Sequence, residues 1–237
     1  MGGLIRELSS QLGGVQPGSD EGASLSGRLI QLFVLMTTLS VAPGLLVVMT
    51  SFTRFVIVFS MLRLALGLNQ TPPNIVLNAM ALFMTFFVMQ PVFEDAWEGG
   101  IRPLMNNAIT EEQAIRNIAD PFYGFMLVNT RDKDIQLFTD IANDAAEEIA
   151  DTEAGPSWRV LVPSFMISEL RRAFTIGFLI YLPFVAIDLI VASVLMSAGM
   201  MMLPPVLVSL PFKVIFFVLI DGWYMLAGSL IQSYLSG

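Results

Sequence analysis

Asp188, Lys213 and Asp221 stand in the second half of the chain among runs of apolar side chains, with Glu169, Arg171 and Arg172 a short way upstream. Ionised groups in such a setting face a bundle interior or a water-filled path, and they pair. Asp188 and Asp221 could be the carboxylate pair of an intramembrane aspartyl protease. The surrounding Leu219-Ile220-Asp221-Gly222-Trp223 lacks the Gly-x-Gly-Asp context such enzymes use. Asp188 with Lys213 could instead carry protons or ions through a small-solute secondary transporter. A third reading makes the charges assembly contacts. Glu169 and Arg172, three residues apart, are placed to pair on one helix face. Arg171 points about 100° away and needs Asp188, Asp221 or an acid on a neighbouring chain. Lys213 and Asp221 are eight residues apart, on a similar face. These sites are too many and too deep in sequence for snorkelling at helix ends, which favours assembly.

Other chemistries are excluded by composition. The chain has no cysteine and no histidine, so thiolate chemistry, disulfides and the commonest metal ligand are gone. No phosphate-binding glycine loop and no Ser-x-x-Lys occurs, so neither an enzyme nor a cofactor or metal site is expected. The residues are 55% hydrophobic and 14% charged, against about 25% charged in soluble domains. Mean hydropathy is +0.71, which is a membrane-type composition. A net charge of −8 argues against nucleic acid as a partner.

A different kind of site is Gly199-Met200-Met201-Met202-Leu203-Pro204-Pro205. Gly199 permits the backbone angles that end a helix. Pro204 and Pro205 suit the first turn of the next one. Three thioethers are thereby held in a turn, where they either fill irregular core gaps or form a deformable apolar seal at a constriction.

The elements that position these residues read as all-α. Residues 1–27, rich in Gly, Ser and Gln, read as a flexible tail. They lack the basic start and apolar core of a secretory signal. Residues 28–93 form a first hydrophobic helical hairpin. Its leading arm, 28–67, would be ~60 Å long as one helix, against a hydrocarbon core of about 30 Å. Arg54 and Arg63 lie about 180° apart around it, so part of it must be packed in protein or reach water. Pro43-Gly44 breaks it, and Thr71 is placed to cap a second arm beginning at Pro72.

Residues 94–159 hold fourteen acidic and five basic side chains. They form a small hydrophilic helical domain, with a capping box at Thr110–Gln113. Further helix starts are expected at Asp120-Pro121 and at Asp132, with a weak continuation at Ala145–Ala150. Residues 160–237 form a second hydrophobic hairpin. It has a long arm with kinks at Pro163 and Pro183, then the methionine turn, then one helix from Val206 to about Tyr234. The layout of long helix, turn, Pro-Pro and shorter helix thus occurs twice, without side-chain identity beyond that layout.

Phe52-Thr53-Arg54-Phe55-Val56-Ile57-Val58, Leu62-Arg63 and Gln70-Thr71-Pro72-Pro73-Asn74 resemble the first half of the FliP/SctR family of the type III secretion export gate. Phe125-Met126-Leu127 and Thr130-Arg131-Asp132-Lys133-Asp134 are similar to its central domain. The longest likeness is Val162-Pro163-Ser164-Phe165-Met166-Ile167-Ser168-Glu169-Leu170. It resumes at Ile176-Gly177-Phe178, Leu182-Pro183-Phe184, Ile187-Asp188 and Ala192-Ser193-Val194-Leu195-Met196. It then runs through the methionine turn into Ser209-Leu210-Pro211-Phe212-Lys213 and Asp221-Gly222-Trp223, covering residues 40–225, with the flagellar branch the better fit.

The resemblance implies a bacterial protein-export channel rather than an enzyme. It implies a helically arranged ring of about five copies, with FliQ and FliR family subunits and other export-apparatus membrane components. The place implied is the periplasmic side of the inner membrane, in the flagellar basal body. Unfolded flagellar proteins would leave the cytoplasm through the ring. The 94–159 domain would be periplasmic, and the hydrophobic segments would form bent hairpins inside the ring rather than all spanning lipid. The family's methionine-rich loop lines the narrowest point of the pore, which falls here on Met200, Met201 and Met202.

Overall fold

The computed structural model describes residues 47–68, 70–144, 155–200 and 202–235, together with residues 32, 33, 36, 37, 40, 44 and 45. The chain divides into two compact units, 1–45 and 46–237. The tail expected at 1–27 and the continuation at Ala145–Ala150 lie outside the described residues, as does Pro43 of the break expected at Pro43-Gly44, while Gly44 itself is helical. Within the first unit the described residues are helical. Thr37 and Ser40 donate back to the carbonyls of Phe33 and Met36, each at 2.8 Å.

The second unit is all-α among its described residues. Its helices are α1 (Phe52–Ala65), α2 (Asn74–Ala96), α3 (Arg102–Met105), α4 (Glu111–Asn129), α5 (Asp132–Asp144), α6 (Trp158–Ser197), α7 (Pro205–Leu219) and α8 (Gly222–Leu235). A five-residue π segment, Trp97–Ile101, joins α2 to α3. Two helical stretches, Asn74–Met105 and Trp158–Ser197, are each long and apolar enough to cross a membrane. Pro205–Leu219 and Gly222–Tyr234 qualify only as a pair bent by 62°. At 40 residues α6 is ~60 Å long, about twice the hydrocarbon thickness.

Helix α1 lies at the centre. Phe55, Val58, Phe59, Leu62, Ala65 and Leu66 recur at helical spacing and are all buried. They meet Leu77 and Ala81 of α2, Ala173 and Phe184 of α6, Phe217 of α7, and Leu226, Leu230 and Tyr234 of α8. The α1–α6 crossing is tight because Gly177 has no side chain. A Cβ there would stand 2.2 Å from the Met61 sulfur and 3.1 Å from Met61 Cβ.

The hydrophilic segment is helical among its described residues, with α4 packed on α2 and α6 and α5 packed on α6. Thr110 and Gln113 exchange both bonds of a capping box, satisfying two of the orphan amides at the start of α4. Asp120-Pro121 does not start a new helix, because α4 runs unbroken through Pro121. Packing overrides the lost amide: Phe122 meets Phe93 edge to face at 5.9 Å, and Phe125 meets both Phe165 and Tyr234. Asp132 does not precede α5 as a cap but occupies its first turn, where a carboxylate suits the helix dipole.

Two further boundaries differ from the sequence reading, while the long second arm does not. Helix α2 begins at Asn74 after Pro73, with no side-chain cap, so Thr71 does not cap it. Helix α6 spans both Pro163 and Pro183, as the single long arm expected there. The last apolar stretch is two helices rather than one. Asp221 adopts φ 51°, and Gly222 packs so closely on Phe217 that a Cβ would lie 2.2 Å from its ring. Asp-Gly is a turn dipeptide, and here it makes the elbow between α7 and α8.

Candidate functional site

The methionine turn is built by its flanks. Gly199 has φ 76°, the left-handed conformation that glycine adopts at no steric cost. Its amide bonds the carbonyl of Met196 at 3.1 Å, and the amide of Met200 bonds the carbonyl of Leu195 at 2.9 Å. That pair of bonds is a Schellman closure, so α6 stops sharply where the sequence predicts. Pro205 then occupies the first position of α7, with Pro204 before it, where a missing amide costs nothing. Met200 is 47% exposed and Met202 98% exposed. Met201 lies outside the described residues. The turn therefore presents Met202 at the tip of an apolar hairpin rather than filling the core of its own chain.

The charges below the tip fall into distinct sets. Arg54 and Glu169 form an ion pair with both side chains fully buried. The Arg54 Nε donates to Glu169 Oε2 at 2.9 Å, its second terminal nitrogen donates to Oε1, and its other one donates to Ser233 at 2.8 Å. The Tyr234 hydroxyl donates to Glu169 Oε2 at 2.5 Å, and the guanidinium sits 3.6 Å above the Tyr234 ring. Glu169 thus pairs across 115 positions with Arg54, not along its own helix with Arg172. Arg171 and Arg172 form no ion pair among the described residues.

The second set is Asp188, Ser209 and Lys213. Lys213 is 4% exposed, and its ammonium donates to Asp188 Oδ2 at 2.7 Å and to the Ala65 carbonyl at 3.1 Å. Ser209 donates to Asp188 Oδ1 at 2.6 Å. The elbow at Ile220–Asp221 breaks the face that Lys213 and Asp221 would have shared, and Asp221 is exposed. Arg63 braces the first hairpin turn, donating to the Asn74 side-chain oxygen and to the Pro72 carbonyl at 3.5 Å.

A third set is one the sequence reading missed. Arg131 and Asp134 form a bidentate pair at 2.8–3.0 Å, and Ser168 of α6 donates to Asp134 at 2.5 Å. Ser168 also accepts the Arg131 amide, and Ser164 donates to the Asp134 carbonyl. Burial pushes the Asp134 carboxyl up, but the Ser168 hydroxyl and the Arg131 guanidinium outweigh it and hold it below its ordinary value. Ser164 and Ser168 were in plain view on the apolar arm, four residues apart. Hydroxyls at that spacing on one helix face point to a polar junction. Nothing local pointed to Ser209, Ser233 or Tyr234, whose partners lie 21 to 179 positions away.

The likeness to known proteins is extensive. Residues 35–230 match the FliP family. The chain is 56% identical over 211 residues to the flagellar biosynthetic protein FliP of Agrobacterium fabrum, covering 89% of this chain and 86% of that one. It is 54% identical over 212 residues to the protein of the same name from Rhizobium meliloti, covering 90% and 86%. Against that of Bacillus subtilis it is 49% identical over 206 residues, covering 86% and 91%. Such identity across nearly the whole length, on a scaffold of long apolar helices, means that the chain belongs to the FliP family, and that it is a membrane component of the flagellar export apparatus rather than an enzyme.

Proposed function

We propose that copies of this chain assemble, with FliQ and FliR family subunits, into a ring that forms the channel of the flagellar export gate. Unfolded flagellar proteins pass through it from the cytoplasm, and Met200, Met201 and Met202 close it between passages. The ring stands in the inner membrane on its periplasmic side, within the basal body. The observation that carries this reading is the 98% exposure of Met202 at the end of a turn fixed by a Schellman closure and a proline pair. An apolar constriction can exclude water and ions, and thioethers part round varied side chains and close again.

The bonding of Asp188 and Lys213 supports a structural tie over the proton-carrying pair of a secondary transporter. Both carboxylate oxygens are taken and the ammonium has two acceptors. Arg171, Arg172 and Asp221 are then the charges left for contacts between copies. Arg54, Glu169 and Lys213 act at contacts between helices of one chain, while Arg63 holds the turn beneath it. The test is the complex with Met200, Met201 and Met202 all changed to alanine, reconstituted in planar bilayers. Normal assembly with a raised resting ion conductance supports the seal, and an unchanged conductance refutes it.

A further inference from the structure

The two hairpins end in the same device. Gly67, with φ 75°, stops α1 by the bonds that Gly199 makes for α6. Its amide goes to the Leu64 carbonyl at 3.0 Å, and that of Leu68 to the Arg63 carbonyl at 3.2 Å. In both cases a proline pair follows at the same interval, Pro72-Pro73 after Gly67 and Pro204-Pro205 after Gly199. The last four carbonyls of a helix lack partners within it. At the end of α1, the carbonyl of Leu62 is taken by the Leu66 amide and those of Arg63 and Leu64 by the Schellman bonds. Only the Ala65 carbonyl is left over, and the ammonium of Lys213 takes it.

The geometry points to Lys213 as a positioning residue for the methionine turn, acting by tying the second hairpin to the stop of the first. This rests on the reading of that turn as the seal. Lys213 stands on α7, its carboxylate partner on α6, and its carbonyl partner at the end of α1. One buried cation therefore touches both helices that the methionine turn joins, and also the helix at the centre of the core. Ser209 and Lys213, four residues apart on α7, hold the two oxygens of Asp188. Sliding α7 by one turn along α6 would bring one of the two into the other's place and leave the other without the carboxylate. A cation is also favoured at the negative end of the α1 dipole, so the tie has a preferred seat as well as a preferred partner. While it holds, the turns at 67–73 and 199–205 keep a fixed height relative to each other. The seal then opens by movement of both hairpins together, or by side-chain parting alone.

The chain has no native cysteine, so spin labels can be placed cleanly. Labels at Gln70→Cys and Val206→Cys, both exposed positions, report the relative height of the two turns without touching the methionines. The measurement is made by double electron–electron resonance on the co-expressed complex, with labelled subunits diluted among unlabelled ones. The expected result is one narrow distance with Lys213 present. In Lys213→Met a second population appears, displaced by about 5 Å, one helical turn. Lys213→Met alone leaves Asp188 without its countercharge and can fail to assemble. The double variant Asp188→Asn/Lys213→Met leaves no unpaired charge and is expected to show the same second population. An unchanged single distance in whichever variant assembles overturns the tie. Because this readout ignores conduction, a shifted distance beside a non-leaking methionine-to-alanine complex would sink the seal and leave the tie standing.

Discussion

Replacing Glu169 with alanine should detach the C-terminal helix. The carboxylate accepts two donors from Arg54 and one from the Tyr234 hydroxyl, with no solvent contact. Removing it leaves a buried guanidinium without a counter-ion, a change that costs about 3–5 kcal/mol. Arg54 keeps its bond to Ser233 and its place over the Tyr234 ring. A desolvated cation–π contact is worth roughly 2 kcal/mol, too little to replace the carboxylate. Ser233 and Tyr234 both belong to α8, so the loss falls on the docking of that helix. At 1.4 kcal/mol per tenfold, local opening of α8 should rise by about a hundredfold or more. Hydrogen exchange of the amides of α8 in the co-expressed complex reads this directly. The variant Arg54→Met/Glu169→Leu, which removes both charges at similar volume, should exchange nearly as slowly as the wild type. Unchanged exchange in Glu169→Ala, or a double variant as labile as the single one, would refute the argument.

Two other outcomes follow from the same geometry. Gly177→Ala should destabilise the α1–α6 crossing by about 1–3 kcal/mol through overpacking, and Met61→Ala in the same chain should restore much of it. Thermal denaturation of the purified complex checks this, and a neutral single variant would contradict it. The folded-state lowering of Asp134 fixes the sign of an acid effect. Its contribution is complete above the ordinary carboxylate value of about 3.9 and is lost as pH falls from there through the lowered folded value. Proteolysis within α5 should therefore accelerate on acidification in the wild type. In Asp134→Asn it should already be fast at neutral pH and change less, and matching profiles would contradict this.

Much of the scaffold is legible because local chemistry decides it. Gly199 and the proline pair stop and restart a helix by backbone sterics alone. Thr110 and Gln113 form their box within one turn. The excess length of the second apolar arm follows from counting residues. Elements settled by distant packing are not legible in this way. Pro121 reads as a helix start, yet the aromatic contacts of Phe122 and Phe125 carry α4 past it. The elbow at Asp221-Gly222 was signalled by the dipeptide, but the apolar runs on either side masked it. The charged residues were legible as misplaced but not as paired. Helical spacing offers Arg172 to Glu169, whereas the fold brings Arg54 from 115 positions away.

The central claim is that Met202 faces a shared axis. Met202→Cys is the only thiol in an otherwise cysteine-free chain, so oxidation of the assembled complex tests it without ambiguity. The account predicts disulfide-linked dimers of this chain and little quenching of a label at position 202 by lipid-borne nitroxides. Absence of cross-links together with strong quenching would put the turn on the lipid-facing wall and contradict it.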